Sequence, residues 1–149
     1  MQKRVRLWTH WLVLVIVLLA VSAAVYAVIR TQSASANKDD LKISVGELRS
    51  YAAEARLLAE QADAGILTKT FLQAHVQKMH EHLQTLAQTL QSQQVDVNLE
   101  PARAKAYNVA LVLDQSVLAI EKNQNGRNEI IARLGDLFSQ LVQLEAELK

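Results

Sequence analysis

Residues 69–93 read KTFLQAHVQKMHEHLQTLAQTLQSQ, with Leu72, Val76, Met79, Leu83, Leu86 and Leu90 at alternating steps of four and three. At about 3.6 residues per turn, that alternation lines up these side chains on one stripe of an α-helix. A half-buried strand would instead repeat every second residue, and this stretch does not. Thr68 precedes the stripe and suits an N-cap, because its hydroxyl oxygen can accept from an amide of the first turn. A helix of this length is marginal alone in water, so its stripe must be buried against other elements.

Those elements lie on either side. Residues 41–64 carry Leu41, Val45, Leu48, Ala52, Ala55, Ala59 and Ala62 in the same rhythm, with Asp39, Asp40 or the Ser44-x-x-Glu47 capping box as candidate starts and Gly65 as the stop. The alanines make the second half of this helix thin, so a neighbour can approach closely. Pro101 is the only proline of the chain and suits the first turn of a helix over about 101–125, where its missing N–H leaves nothing unpaired. Along that helix Ala106, Ala110, Leu113, Val117 and Ile120 form the seam, and Gly126 is its expected C-cap. Val109, Leu111, Val112 and Leu118 widen its apolar arc, so it must face two neighbours or a partner, and these four are its expected interaction surface. A fourth helix, 128–148, carries Ile130, Leu134, Leu137, Leu141, Leu144 and Leu148, flanked by Ile131 and Phe138. Four similar helices joined by short loops predict an all-α, up-down-up-down four-helix bundle over 41–149. The alternative is a long hairpin that builds the same cross-section by dimerising. Tyr51, Tyr107 and Phe138 fall in one half of such a bundle and are expected to form an aromatic cluster, with Phe71 apart at the other end.

The 149 residues include four glycines and no cysteine, which suits helices and removes disulfides, thiol nucleophiles and thiolate-bound metals. A net charge of +1 conceals a division. Residues 1–30 carry Lys3, Arg4, Arg6 and Arg30 without an acid, while the remainder has 12 basic and 15 acidic residues. A mildly acidic body is a poor match for phosphate backbones, so no nucleic-acid partner is expected.

From Leu12 to Ile29 the chain runs 18 residues without a charge, and the wider stretch LWTHWLVLVIVLLAVSAAVYAVIR, Leu7–Arg30, is long enough as a helix to cross a hydrocarbon core of about 30 Å. Trp8, Trp11, Tyr26 and Arg30 sit where interfacial anchors belong, and the basic residues before the span favour a cytoplasmic N-terminus. Residues 1–30 therefore read as a cytoplasmic basic tail and transmembrane signal-anchor, 31–40 as a linker, and the bundle as the extracytoplasmic (periplasmic) domain of a single-pass protein of the inner (plasma) membrane. A cleavable signal peptide is the competing reading, with small-residue sites at Val21-Ser22-Ala23 and Ala34-Ser35-Ala36. The apolar run is longer than such peptides usually keep, which favours retention. In topology the chain resembles phage inner spanins, which pair an N-terminal span with an exported helical rod, although it carries fewer charges than they do. In outline it is also similar to chemoreceptor and sensor-kinase ectodomains, but the second span and signalling module of those proteins have no counterpart in the sequence.

Residues able to do chemistry are few. His75, Met79 and His82 share a helix face and could offer imidazole and thioether to a soft ion such as Cu(I), yet the two histidines are about 10.5 Å apart along the axis, too far for one ion. His80 lies beside them, and partly exposed histidines could sense pH. Arg49, Arg56 and Arg133 could present guanidinium groups to a carboxylate ligand, although Arg56 is equally placed to pair with Glu60 one turn on. Asp114 stands alone in the apolar run VALVLDQSVL. No nucleophile–base order, zinc-protease motif or phosphate-cradling glycine loop is present, so neither an enzyme nor a cofactor is expected. The expected role is an accessory subunit or assembly factor of a membrane complex, with the lipid bilayer and another membrane protein, or a second copy of this chain, as partners. Extracytoplasmic ligand sensing and copper handling are the alternatives.

Overall fold

The computed structural model describes residues 38–122 and 126–148. These form four helices and no strand: α1 over residues 38–63, α2 Lys69–Ser92, α3 Glu100–Lys122 and α4 Arg127–Glu147. All side chains of the four expected stripes are buried, none more than 8% exposed. Leu58, Ala87 and Val109 join them in a single core, as does Ser116, whose hydroxyl donates to the Val112 carbonyl one turn back at 2.8 Å. A buried hydroxyl satisfied in this way avoids the penalty of an unpaired polar group.

Side-chain bridges show which helices are neighbours. Between α2 and α3, the partner on α2 steps back from Leu90 to His80 to Gln73 as the partner on α3 advances from Arg103 to Asp114 to Glu121. Glu54 of α1 meets His75 of α2 at 2.8 Å, and Lys105 of α3 lies 3.7 Å from Glu147 of α4. Arg49 of α1 reaches Glu145 of α4 at 2.5 Å, and Arg127 at the start of α4 donates to the Ala62 carbonyl near the end of α1. Successive helices are therefore antiparallel and α4 returns to α1, an up-down-up-down four-helix bundle. The wide apolar arc of α3 is shared between its two neighbours, with Leu111 and Val112 remaining exposed: Val109 and Val112 border Leu137 and Gln140 of α4, while Tyr107 and Leu111 border Leu83 and Ala87 of α2.

The helix ends follow local chemistry. Thr68 Oγ1 accepts from the Phe71 amide at 3.3 Å, the cap expected for α2. Gly65 ends α1 at φ 69°, with its own amide bonded to Ala62 O and that of Ile66 to Gln61 O, the paired bonds of a Schellman motif. At the other end of the bundle the last carbonyls of α2 are met from outside: Arg103 Nη1 donates to Leu90 O at 2.7 Å and Gln91 O at 3.3 Å. Glu100 orients that guanidinium, and the same contact holds the Glu100 carboxyl below its usual range.

Three expectations are corrected. Residues 38–40 are already helical, so α1 begins inside the expected linker, and Ser44 donates to Asp40 O within the helix instead of capping it. Gly126 is the N-cap residue of α4, at φ −113°, not a left-handed C-cap of α3, which is helical as far as Lys122. The two tyrosines of the expected aromatic cluster lie on opposite sides of α2: Tyr51 stacks on His82 toward α1, and Tyr107 lines a groove between α2 and α3. Among the described residues no helix is long and apolar enough to cross a membrane. The stretch Leu7–Arg30, with Trp8, Trp11, Tyr26 and Arg30, lies outside the described residues.

Two glycines, one within α1 and one at its end, should respond oppositely to the same change. Gly46 is helical, with open space where an added methyl group would stand, so Gly46→Ala should stabilise by about 0.5–1 kcal/mol. Gly65→Ala has equal room but a left-handed backbone, and should destabilise by about 1–2 kcal/mol. Urea unfolding followed by circular dichroism measures both.

Candidate functional site

Two grooves flank the C-terminal half of α2. The larger, about 500 Å³, lies against α1, with Asp40, Ile43, Ser44, Glu47 and Tyr51 on one wall and His82, Thr85, Leu86, Thr89, Ser92 and Gln93 on the other. The second, about 230 Å³, runs against α3 and is lined by Leu83, Gln84, Ala87, Gln88, Gln91, Tyr107, Leu111 and Asp114. The ridge between them belongs to a run from Leu83 to Val95 that contains no charged residue, in a chain of which 21% is charged. Its exposed positions are Gln84, Thr85, Gln88, Thr89, Gln91, Ser92 and Gln94. Loss of charge with retention of tyrosine is the compositional mark of the central part of a protein interface.

The ring of Tyr51 crosses the floor between α1 and α2 to stack on His82, centroids 6.0 Å apart and planes 22° from parallel. Burial, reinforced by the negative charges of Glu47 and Glu54, pushes the Tyr51 hydroxyl above its ordinary value of 10.0. His75 stacks on Phe71 at 5.4 Å while its Nε2 meets Glu54. His80 turns to the opposite side of α2, where its Nδ1 donates to Asp114 Oδ1 at 2.6 Å, with both side chains at or below 20% exposed. The isolated carboxylate of α3 is thus half of an interhelical pair. Spacing along one helix could not reveal this; the register of α2 against α3 brings the two to one height.

The copper face does not assemble. Met79 is 2% exposed within the core, His75 is engaged by Glu54, and His82 lies on Tyr51. Among the described residues no three His, Asp or Glu side chains converge to hold a metal ion. Arg49 is paired with Glu145, and Arg56 bonds Glu60 at 2.9 Å and lies over Gly135 of α4, a position where the missing side chain leaves room. Arg133 is exposed on α4. Of the four residues expected to form an interaction surface, Leu111 and Val112 are exposed at 40% and 38%, Leu118 is half-buried, and Val109 is a core residue at 5%. Val109 is buried because its side of α3 packs against Leu137 of α4.

No protein-family model, curated protein or solved structure matches the chain.

The His80–Asp114 pair should be worth more than a surface contact, because loss of either partner would leave the other shielded from water. Asp114→Ala and His80→Ala are each expected to lose about 1–2 kcal/mol in urea unfolding, and the double variant much less than their sum, a coupling of about 1 kcal/mol. The raised Tyr51 hydroxyl gives a second expectation. Folding holds this proton to higher pH than the unfolded chain does, so the contribution is complete below pH 10.0 and is lost as pH climbs through the raised value. An alkaline absorbance titration should show a late phenolate transition that Tyr51→Phe removes, with stability falling over the same interval.

Proposed function

We propose that the chain is a membrane-anchored four-helix bundle that acts through protein–protein contacts, as an accessory subunit or assembly factor of a membrane complex on the extracytoplasmic side. The observation that carries this reading is the uncharged face of α2 with its two tyrosine-lined grooves, continued onto α3 by exposed Leu111. Such a face gives up little hydration when a partner covers it, since glutamine and threonine are cheaper to desolvate than carboxylates or ammonium groups. The apolar Leu7–Arg30 stretch supplies the anchor in this reading. Confinement to a bilayer would raise the local concentration of bundle and partner, so a modest interface suffices. Sensing of a carboxylate draws no support from the arginines, since Arg49 and Arg56 are already neutralised by Glu145 and Glu60.

The test joins anchoring to docking. The full chain should sediment with membranes, retain Met1 and lose its bundle to protease added from outside. A photo-crosslinker at Gln88 should then give one discrete adduct with a membrane protein, and Leu111→Asp should abolish it. A mature N-terminus at Ala24 or Asn37, or a crosslinking pattern unchanged by Leu111→Asp, would overturn the proposal.

A further inference from the structure

The larger groove has a polarity that its residue types alone do not disclose. Its serine and threonine hydroxyls have already donated their protons: Ser44 to Asp40 O, Thr85 to Glu81 O, Thr89 to Thr85 O and Ser92 to Thr89 O, at 3.0–3.2 Å. What these side chains offer to the open space is lone pairs. Asp40 and Glu47 add carboxylates, which when ionised only accept, and among the described residues no Lys or Arg lines the groove. Gln93 Oε1, in the same lining, is buried and has no hydrogen-bond partner. A lining with two carboxylates, four hydroxyls that present lone pairs, no Lys or Arg and a tyrosine ring is complementary to a molecule rich in N–H groups and positive charge.

We propose that the α1/α2 groove binds a linear organic polycation of the polyamine class. Asp40 and Glu47 stand seven residues apart on α1, about 10.5 Å along the axis, so one metal ion cannot bridge them. A chain of amines separated by methylenes can: one ammonium near each carboxylate, the stem over the exposed edge of Ile43 and an amine above the Tyr51 ring. The groove volume of about 500 Å³ suits a molecule of that size. The Glu47 charge that adds to burial in lifting the Tyr51 hydroxyl would also act on a cation entering the groove. This site does not depend on the docking role of the α2 face, and its test reads no partner protein.

The experiment is calorimetric titration of spermidine into the full chain in a nonionic detergent. Saturable binding of one molecule per chain is expected. Glu47→Gln should weaken it roughly tenfold, the scale of one charge-assisted hydrogen bond, and Asp40→Asn, an exposed change at the helix start, by a similar factor. Tyr51→Leu should weaken it independently of charge, while Glu129→Gln, on the exposed surface of α4, should leave it unchanged. Thermal melts confirm that each variant is folded. Absence of saturable binding, equal weakening by Glu129→Gln, or indifference to both Glu47→Gln and Asp40→Asn would each overturn the proposal, the second by showing diffuse counter-ion attraction.

Discussion

Everything in this molecule depends on burying four apolar stripes against one another at once. Each helix is too short to persist alone, and each leaves one stripe that water disfavours. The alternation of three- and four-residue steps keeps that stripe on a single line, which fixes how every helix is rotated about its own axis. Rotation in turn decides which polar side chains face a neighbouring helix and which face solvent. The grooves, the stacked rings and the interhelical pairs are therefore consequences of the core pattern. The alanines of α1 matter here: Ala52, Ala55, Ala59 and Ala62 admit the neighbouring helices closely where leucines would hold them off.

The polar chemistry of the bundle is largely closed upon itself. Arg49, Arg56, Arg103 and Arg127 find carboxylates or helix-end carbonyls, the α2 histidines find Glu54, Asp114 and Tyr51, and several hydroxyls bond to the turn before them. Those contacts already engage Arg49, Arg56, His75 and His82, side chains that residue types put forward for a carboxylate or a soft metal ion. The same closure creates the asymmetry of the α1/α2 groove, where the serine and threonine donors are committed and the acceptors are left facing outward. Hydrogen bonds made inside the helices thus set the kind of ligand the outside can accept.

The core is legible in the sequence because hydrophobic burial leaves a periodic trace: every stripe residue from Leu41 to Leu148 is where its spacing places it. Helix ends with a local cause, Thr68 and Gly65, are equally readable. Ends and pairs whose cause lies in another helix are not. Arg103 capping α2 and His80 meeting Asp114 depend on register between helices, which no single stretch encodes. Gly126 illustrates a further ambiguity, since glycine is tolerated both before and after a helix, and its role is decided by which φ the connection requires. Val109 reads as surface because it lies off the central seam, and only the presence of α4 on that flank buries it.

The α1/α4 seam differs from the other three in one respect. Its bridges join positions 96 residues apart for Arg49 and Glu145 and 65 apart for Arg127 and Ala62, whereas those along α2 join positions 12 to 48 apart. Closing a longer loop forfeits more chain entropy before any contact repays it, so consecutive hairpins assemble early and this seam zips last. By the same reasoning it is where the closed ring parts first when the bundle breathes. Parting it opens the ring while leaving each consecutive pair of helices joined, α1 to α2 through Glu54–His75 and Tyr51–His82 as much as α3 to α4 through Lys105–Glu147.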